Sequence, residues 1–132
     1  MSTAILYNIT YVVIESNDGV KTPIAKPSTI NCSMLQHQIT SYINSNGIEL
    51  TNSILEEIND LDPFNTPVDG YEIYGYNEET SCKIYSSPPR TAFWDGNIGE
   101  NIYIPLQDWI DILNEWIAFL ESLNYQHYLS GR

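Results

Sequence analysis

Cysteine and histidine are the side chains best suited to bind a metal ion or to act in nucleophilic catalysis, and the chain has two of each: Cys32, His37, Cys82 and His127. Structural zinc sites take such ligands from closely spaced pairs, and these four residues lack that spacing. Neither cysteine has a histidine in the sequence contexts typical of cysteine-dependent enzymes. We therefore expect no metal ion and no other cofactor, with both histidines in structural or surface roles. The cysteines are expected to be buried thiols, and a disulfide between them is the alternative.

Carboxylates are abundant, but their arrangement matches no known catalytic or calcium-binding motif. The acidic stretches at 15–20 and 60–65 do not place oxygen ligands at alternate positions with a glutamate at the twelfth, as calcium-binding EF-hand loops require. Residues 94–101, WDGNIGEN, lack a phosphate-binding lysine and the GxGxxG pattern, so we interpret them as a loop that presents Trp94. The sequence thus predicts a protein that is not an enzyme. An enzyme whose site cannot be read from one sequence is kept as an alternative.

The most unusual segment is LEEINDLDPFNTPVDGYE, residues 55–72, which carries six carboxylates and no base. It lies within a longer run, residues 27–82, that contains neither Lys nor Arg. Local roles are predicted for Glu56, as part of a helix cap, and for Asp69, in a turn with Gly70. The acids left without a local role, together with the aromatic residue near them, form the first predicted partner-binding set: Glu57, Asp60, Asp62, Phe64 and Glu72.

A second predicted partner-binding set lies on the last helix, in PLQDWIDILNEWIAFLESL, residues 105–123. Asp108, Asp111 and Glu115 fall within about 60° of one another on a helical wheel, at spacings where like charges repel by a few tenths of a kcal/mol. Ile112 and Phe119 lie between these acids and the core stripe, so we expect an apolar shoulder beside a negative patch. The alternative is that Asp108 favours the helix N-terminus and the other two acids simply face water.

Hydrophobic periodicity and capping patterns predict the elements that position these residues. β-Branched and aromatic residues over 4–15, a turn at 16–19 and the VKTPIA that follows predict an opening hairpin, with Pro23 at a sheet edge. Ser33 and Gln36 form a capping box before a helix over 34–46, which Gly47 is expected to end. A second, short helix is predicted to begin at the capping box of Ser53 and Glu56 and to end at 62–63. Residues 71–76 and 82–85 are predicted to form another hairpin. An amphipathic helix is predicted over 105–123.

These elements predict the α+β class for one domain spanning residues 1–132. The expected architecture is an antiparallel sheet of hairpins, two central helices, and a long amphipathic C-terminal helix packed on one side. A parallel, doubly wound sheet is disfavoured because the strands are joined as hairpins.

The charge balance limits the class of partner. The net charge is −12, with 17 acidic and only 5 basic residues. The acid content is ordinary, so the negative charge comes from missing bases. Such a field repels nucleic acid and anionic membranes and attracts cationic proteins, although selection for solubility alone is the simpler alternative. No run of 18 apolar residues and no secretory signal pattern is present, so a cytoplasmic location is expected.

The chain resembles, in kind, the immunity proteins of bacterial polymorphic toxin and contact-dependent inhibition systems, which are small, acidic α+β proteins. The local likeness is in IYIPLQDWIDILNEWIAFLESL, residues 102–123, which is similar to a Pro-initiated, Trp-rich terminal helix in some of those proteins. The resemblance implies stoichiometric inhibition of a basic toxin, often a nuclease, and assigns no individual residue. A nucleic-acid mimic that inhibits restriction or CRISPR enzymes is the main alternative, and an accessory subunit of a larger assembly is another.

Overall fold

The computed structural model of this chain describes residues 2–61, 69–76 and 80–123. Their elements, in chain order, are α1 (Thr3–Leu6), β1 (Ile9–Glu15), β2 (Lys21–Pro27), α2 (Met34–Asn44), α3 (Ile48–Asn59), β3 (Tyr71–Tyr74), β4 (Ser81–Ser86), β5 (Pro89–Asp95), β6 (Glu100–Pro105) and α4 (Leu106–Ser122). No helix in these ranges is both long enough and apolar enough to cross a membrane.

The strands form two antiparallel sheets. β1 and β2 make a two-stranded hairpin, and β3 to β6 follow one another as a four-stranded meander. The two faces of the meander differ, because alternate residues of a strand point to opposite sides. One face carries Ile73, Ile84, Phe93 and Ile104 and is buried under α2 and α4, and we call the other the outer face. The predicted α+β class, with helices on one side of an antiparallel sheet, is confirmed.

The core between sheet and helices is built around aromatic rings. Trp109 of α4 is fully buried, with its ring centroid 5.0 Å from that of Phe93 and 5.5 Å from that of Tyr42 on α2. Edge-on and tilted contacts of this kind add to the stability gained from burial alone. The Trp-rich stripe on the last helix is therefore core, as its helical periodicity predicts.

The opening hairpin and the first central helix are confirmed. The capping box is present in both directions, since the Ser33 hydroxyl accepts from the backbone N–H of Gln36 and the side-chain Oε1 of Gln36 accepts from the backbone N–H of Ser33. Asn44, at the end of α2, binds both the N–H and the C=O of Ala25 and thereby satisfies the open edge of β2. Pro23 lies in this two-stranded sheet, where edge strands tolerate proline.

The main differences from the predicted boundaries are at the first strand and around the second central helix. Residues 3–6 form a helical turn instead of extending the first strand. The second central helix begins at Ile48, so Ser53 and Glu56 lie inside it and form no cap. Gly47 precedes that helix as its N-cap instead of ending α2. The reason is packing, because Ile48 and Thr51 are buried and extend the apolar stripe toward the N-terminus.

Strands β5 and β6 were not predicted, and the loop expected at 94–101 is shorter than its sequence suggests. Only residues 96–99 form the turn, and Trp94 lies within β5. Gly99 has φ of +71°, which glycine adopts without strain, and it allows the chain to reverse. Trp94 is exposed, but a strand, not a loop, holds it in place.

Candidate functional site

An acidic stripe runs along the exposed side of α3. Glu49, Glu56 and Asp60 are spaced seven and four residues apart, so they lie on one side of the helix, and all three are exposed. Like charges four residues apart destabilise a helix slightly, and no Lys or Arg occurs anywhere in residues 27–82 to offset them. Glu49 lies in the first turn of α3, where a negative charge favours the helix, so the cost in helix stability falls on Glu56 and Asp60.

A groove of about 410 Å³ lies between α3 and α4, beside this stripe. Apolar side chains line part of it, and carboxamides and one carboxylate provide its polar groups. Its lining residues are Asn52, Leu55, Glu56, Ile58, Asn59, Ile110 and Asn114. We call this feature the α3–α4 groove.

The chemistry of the α3–α4 groove suits the end of a long basic side chain. Lys and Arg combine an apolar stem with a cationic head, and they commonly bury the stem while the head stays hydrated or paired. Leu55, Ile58 and Ile110 offer apolar surface for a stem. The carboxylate of Glu56 and the carboxamide oxygens beside it can accept hydrogen bonds from an ammonium or guanidinium group.

The described residues of the first predicted partner-binding set, Glu57, Asp60 and Glu72, do not form one surface. Asp60 is exposed at the end of α3, as a binding role requires. The Glu57 carboxylate instead has a partner within the chain, because it accepts a hydrogen bond of 2.5 Å from the Tyr71 hydroxyl of β3. That bond, with the charge of Glu57, raises the pKa of Tyr71. Glu72 points to the outer face of the meander, where it accepts from the Ser81 hydroxyl at 2.7 Å. Glu57 and Glu72 thus have local partners that the sequence did not reveal, while Asp62 and Phe64 lie outside the described residues.

The second predicted set lies against the N-terminal segment. Glu115 accepts hydrogen bonds from the Ser2 hydroxyl at 2.7 Å and from the backbone N–H groups of Thr3 and Ala4 at 2.6 and 3.1 Å. The first N–H groups of a helix have no partner within the helix, so this carboxylate caps α1. Glu115 therefore has a structural role that neither the predicted binding set nor the alternative of facing water includes.

Asp108 and Asp111 contact the same segment. The Tyr7 hydroxyl donates to Asp108 at 2.5 Å, and the Thr3 hydroxyl lies 3.5 Å from Asp111. Burial, followed by the hydrogen bond to Asp108 and its negative charge, raises the pKa of Tyr7. Hydroxyl donors from the N-terminal segment thus take the place of the missing lysines beside these acids.

The apolar shoulder predicted on α4 is covered. Ile112 is fully buried, and Phe119 is half-buried, with its ring stacked on Tyr11 of β1 at a centroid distance of 5.6 Å. The hydroxyl of Tyr11 also donates to the Ile112 carbonyl at 3.1 Å. The opening hairpin packs here, so the shoulder is part of the core.

Replacing Glu115 with glutamine should loosen the N-terminal segment. The amide has a similar size but carries no charge and only one acceptor oxygen, so we expect a loss of about 1–3 kcal/mol in unfolding free energy. Amide hydrogen exchange at Thr3 and Ala4 should speed up at the same time. Asp111→Asn is the matched control, because its contact with Thr3 is at the limit of a hydrogen bond, and equal effects of the two changes would contradict the capping role.

Both cysteines are free thiols, and only one of them is buried. Cys82 points into the core from β4, whereas Cys32 is exposed in the loop before α2, so the expectation of two buried thiols is wrong for Cys32. Burial raises the pKa of the Cys82 thiol to about 12, and the polar groups of the neighbouring Tyr42 and Trp109 side chains lower it by a smaller amount. Across the described ranges, no cluster of three or more His, Cys, Asp or Glu side chains could hold a metal ion.

Thiol labelling should separate the two cysteines. Because the thiolate is the reactive form, native protein at about pH 8 should be alkylated at Cys32 and not at Cys82, and denaturant should expose both. The pKa of Cys82 is higher in the folded protein than in the unfolded chain, so the neutral thiol contributes to stability below the unfolded pKa. This contribution is lost as the pH rises from the unfolded pKa to the folded pKa. Mass spectrometry of the labelled peptides gives the result, and rapid labelling of Cys82 in native protein would contradict the burial.

The groove residues that sequence analysis missed are the asparagines. Asn52, Glu56 and Asn59 are four and three residues apart, which places them on one side of α3. The sequence analysis did not place Asn52 on this helix, because the helix was expected to start at Ser53. Asn114 could not be assigned to the groove without knowing that α4 packs beside α3.

Comparison of the chain with protein-family models, with curated proteins and with solved structures finds no match.

Proposed function

We propose that this chain is an acidic binding protein that neutralises a basic partner protein by forming a stoichiometric complex, as an immunity protein neutralises its toxin. In this proposal the chain is not an enzyme and needs no cofactor. Its contact surface is the acidic stripe of α3 together with the α3–α4 groove. Asp60 is the one residue of the first predicted set that is kept in this surface.

The observation that carries the proposal is the combination of the stripe with the groove. Protein interfaces often place anchor pockets inside a charged rim, and charge on the rim speeds encounter with a partner of opposite sign. Here Glu49, Glu56 and Asp60 supply the charge, and the groove supplies an anchor site for a basic side chain. A net charge of −12 extends the attraction beyond this surface.

The resemblance to immunity proteins adds the type of partner. A toxin that acts on nucleic acid carries a basic substrate groove, which an acidic protein can occupy and block. On this proposal the α3 stripe faces that groove, and the partner inserts a Lys or Arg side chain into the α3–α4 groove.

The test is to capture the partner and measure what the complex does. Full-length tagged protein should retain a basic protein from lysate of the native host, and the purified pair should form a 1:1 complex. Adding one equivalent of this chain should abolish the toxicity or nuclease activity of the partner. Because the Glu56 and Asp60 carboxylates are exposed, the variant Glu56→Gln/Asp60→Asn should fold normally and inhibit more weakly.

Two results would overturn the proposal. One is a captured partner that is acidic or neutral, because the charge argument would then have no target. The other is a partner whose activity persists in the saturated complex. Equally strong inhibition of unrelated enzymes that bind nucleic acid would instead favour the nucleic-acid mimic.

A further inference from the structure

The outer face of the meander has an unusual composition for a surface turned away from the helices. Antiparallel sheets that expose one face usually present polar residues there. Here Tyr74, Trp94 and Tyr103 are exposed by 52%, 56% and 48%. Trp and Tyr are enriched in interfaces and dominate their binding energy, so this face has the composition of a contact surface.

A depression lies at the centre of the outer face. Ala92, the smallest side chain there, pairs with Lys83 on one side and with Tyr103 on the other, and it is only 2% exposed beneath its larger neighbours. The depression has a volume of about 210 Å³, and its lining residues are Glu72, Ser81, Lys83, Ala92, Trp94 and Asn101. A projecting side chain from a partner can seat there.

The outer face also differs in charge from the rest of the chain. It carries Lys83 and Arg90, two of the five bases, and Glu72 as its acid. The Arg90 guanidinium lies 4.3 Å from the ring centre of Tyr85 and 5.1 Å from that of Tyr103, so cation–π contacts hold it in place. Lys83 is half-buried and lies opposite Glu72 across β3 and β4, but its ammonium group forms no hydrogen bond or ion pair with a described residue.

We propose that the outer face is the interface of a homodimer, in which two copies pack their four-stranded sheets face to face. Symmetric dimers use the same patch on both copies, so the patch must be complementary to itself. Glu72 and Lys83 satisfy this condition, because a two-fold axis through the face can bring Lys83 of one copy to Glu72 of the other. Two packed sheets bury side chains from both inner faces, and the exposed aromatic residues provide that layer.

Charge permits a second copy at this face and opposes nucleic acid. Two chains of net charge −12 repel each other, and the repulsion is reduced where the described residues of each face present two bases and one acid. A single-stranded nucleic acid can also stack on aromatic residues of a sheet, but the overall negative field opposes it. The apolar character of the contact means that the dimer should persist at high salt.

This proposal does not rest on the proposed function. The outer face and the helices lie on opposite sides of the meander, so a dimer leaves the α3 stripe of each copy exposed. One dimer could then bind two basic partners. If experiment rejects one proposal, the other is unaffected, because the two surfaces share no residue.

The test is the mass of the purified full-length chain in solution, measured by sedimentation velocity over a range of concentrations. We expect a concentration-dependent species of twice the 15.1 kDa chain mass, in the absence of any partner. Trp94→Ala should weaken self-association at least tenfold, as loss of a central aromatic anchor does. Ile14→Ala removes an exposed apolar side chain from the opening hairpin and should change nothing. Circular dichroism checks that both variants fold.

A second experiment exchanges the charges of Glu72 and Lys83. Lys83→Glu should weaken the dimer because it places like charges across the axis, and Glu72→Lys/Lys83→Glu should restore it. A chain that stays monomeric at its highest soluble concentration would overturn the proposal, whether or not the face then binds a single-stranded oligonucleotide. A dimer that is unaffected by both Trp94→Ala and Lys83→Glu would also overturn it.

Discussion

Trp116→Ala should lower the free energy of unfolding by about 3–5 kcal/mol, the range for large aromatic truncations in protein cores. Trp116 is 2% exposed on α4, and its indole N–H donates to the Asn46 carbonyl at 2.8 Å. The bond ties α4 to the residues that precede α3, so one side chain supports both walls of the α3–α4 groove. For a domain whose total stability is about 5–15 kcal/mol, this loss removes a large share. Urea unfolding followed by circular dichroism measures it.

Trp116→Phe is the matched control. Phenylalanine keeps an apolar ring against Tyr11 and Phe119 but cannot donate to Asn46, so the expected loss is about 1–3 kcal/mol. The difference between the two variants separates ring burial from the hydrogen bond. If Trp116→Ala kept the stability of the wild type and lost only binding, Trp116 would belong to an interface and not to the core.

Reversing charge on the α3 stripe should slow association with the basic partner. Glu56→Lys/Asp60→Lys changes the net charge by four units at the centre of the proposed contact, and steering by charge alters association rates by about 10- to 1,000-fold. We expect a decrease of about tenfold or more at low salt, measured by stopped-flow fluorescence. Both positions are exposed, so the melting temperature should change little.

A second reversal at distant sites shows whether position or net charge is responsible. Glu15→Lys/Glu100→Lys makes the same change in net charge at exposed residues of β1 and β6. It should slow association less than the α3 reversal, because interactions between exposed charges are screened over about 8–10 Å at physiological salt. Equal slowing by both pairs would mean that the binding face is not on α3.

Local signals predicted the elements whose ends and faces are encoded in neighbouring residues. The capping box at Ser33 and Gln36 and the long apolar stripe of α4 are of this kind. Gly47 was ambiguous, because glycine suits both a helix end and a helix start, and burial of Ile48 decided between them. β5 was missed because its residues 91–93 are buried in succession, so the alternation expected of a half-exposed strand is absent.

The candidate site was less predictable, because its features depend on residues far apart in the chain. Glu115 is satisfied by Ser2, Thr3 and Ala4, more than 110 positions away, and no spacing rule reveals such a contact. The α3–α4 groove likewise exists only where two helices pack. Composition favoured a cationic protein as the proposed partner, whereas the choice among 17 carboxylates required the fold.

The central claim is that the acidic surface exists to capture a cationic protein, and the association rate of the wild-type chain with its captured partner tests it most directly. Stopped-flow measurements at low and at physiological salt should show a rate that falls steeply as salt rises, because screening removes the long-range attraction. The dissociation rate should change much less. An association rate that is indifferent to salt would contradict the account and would leave solubility as the reason for the missing bases.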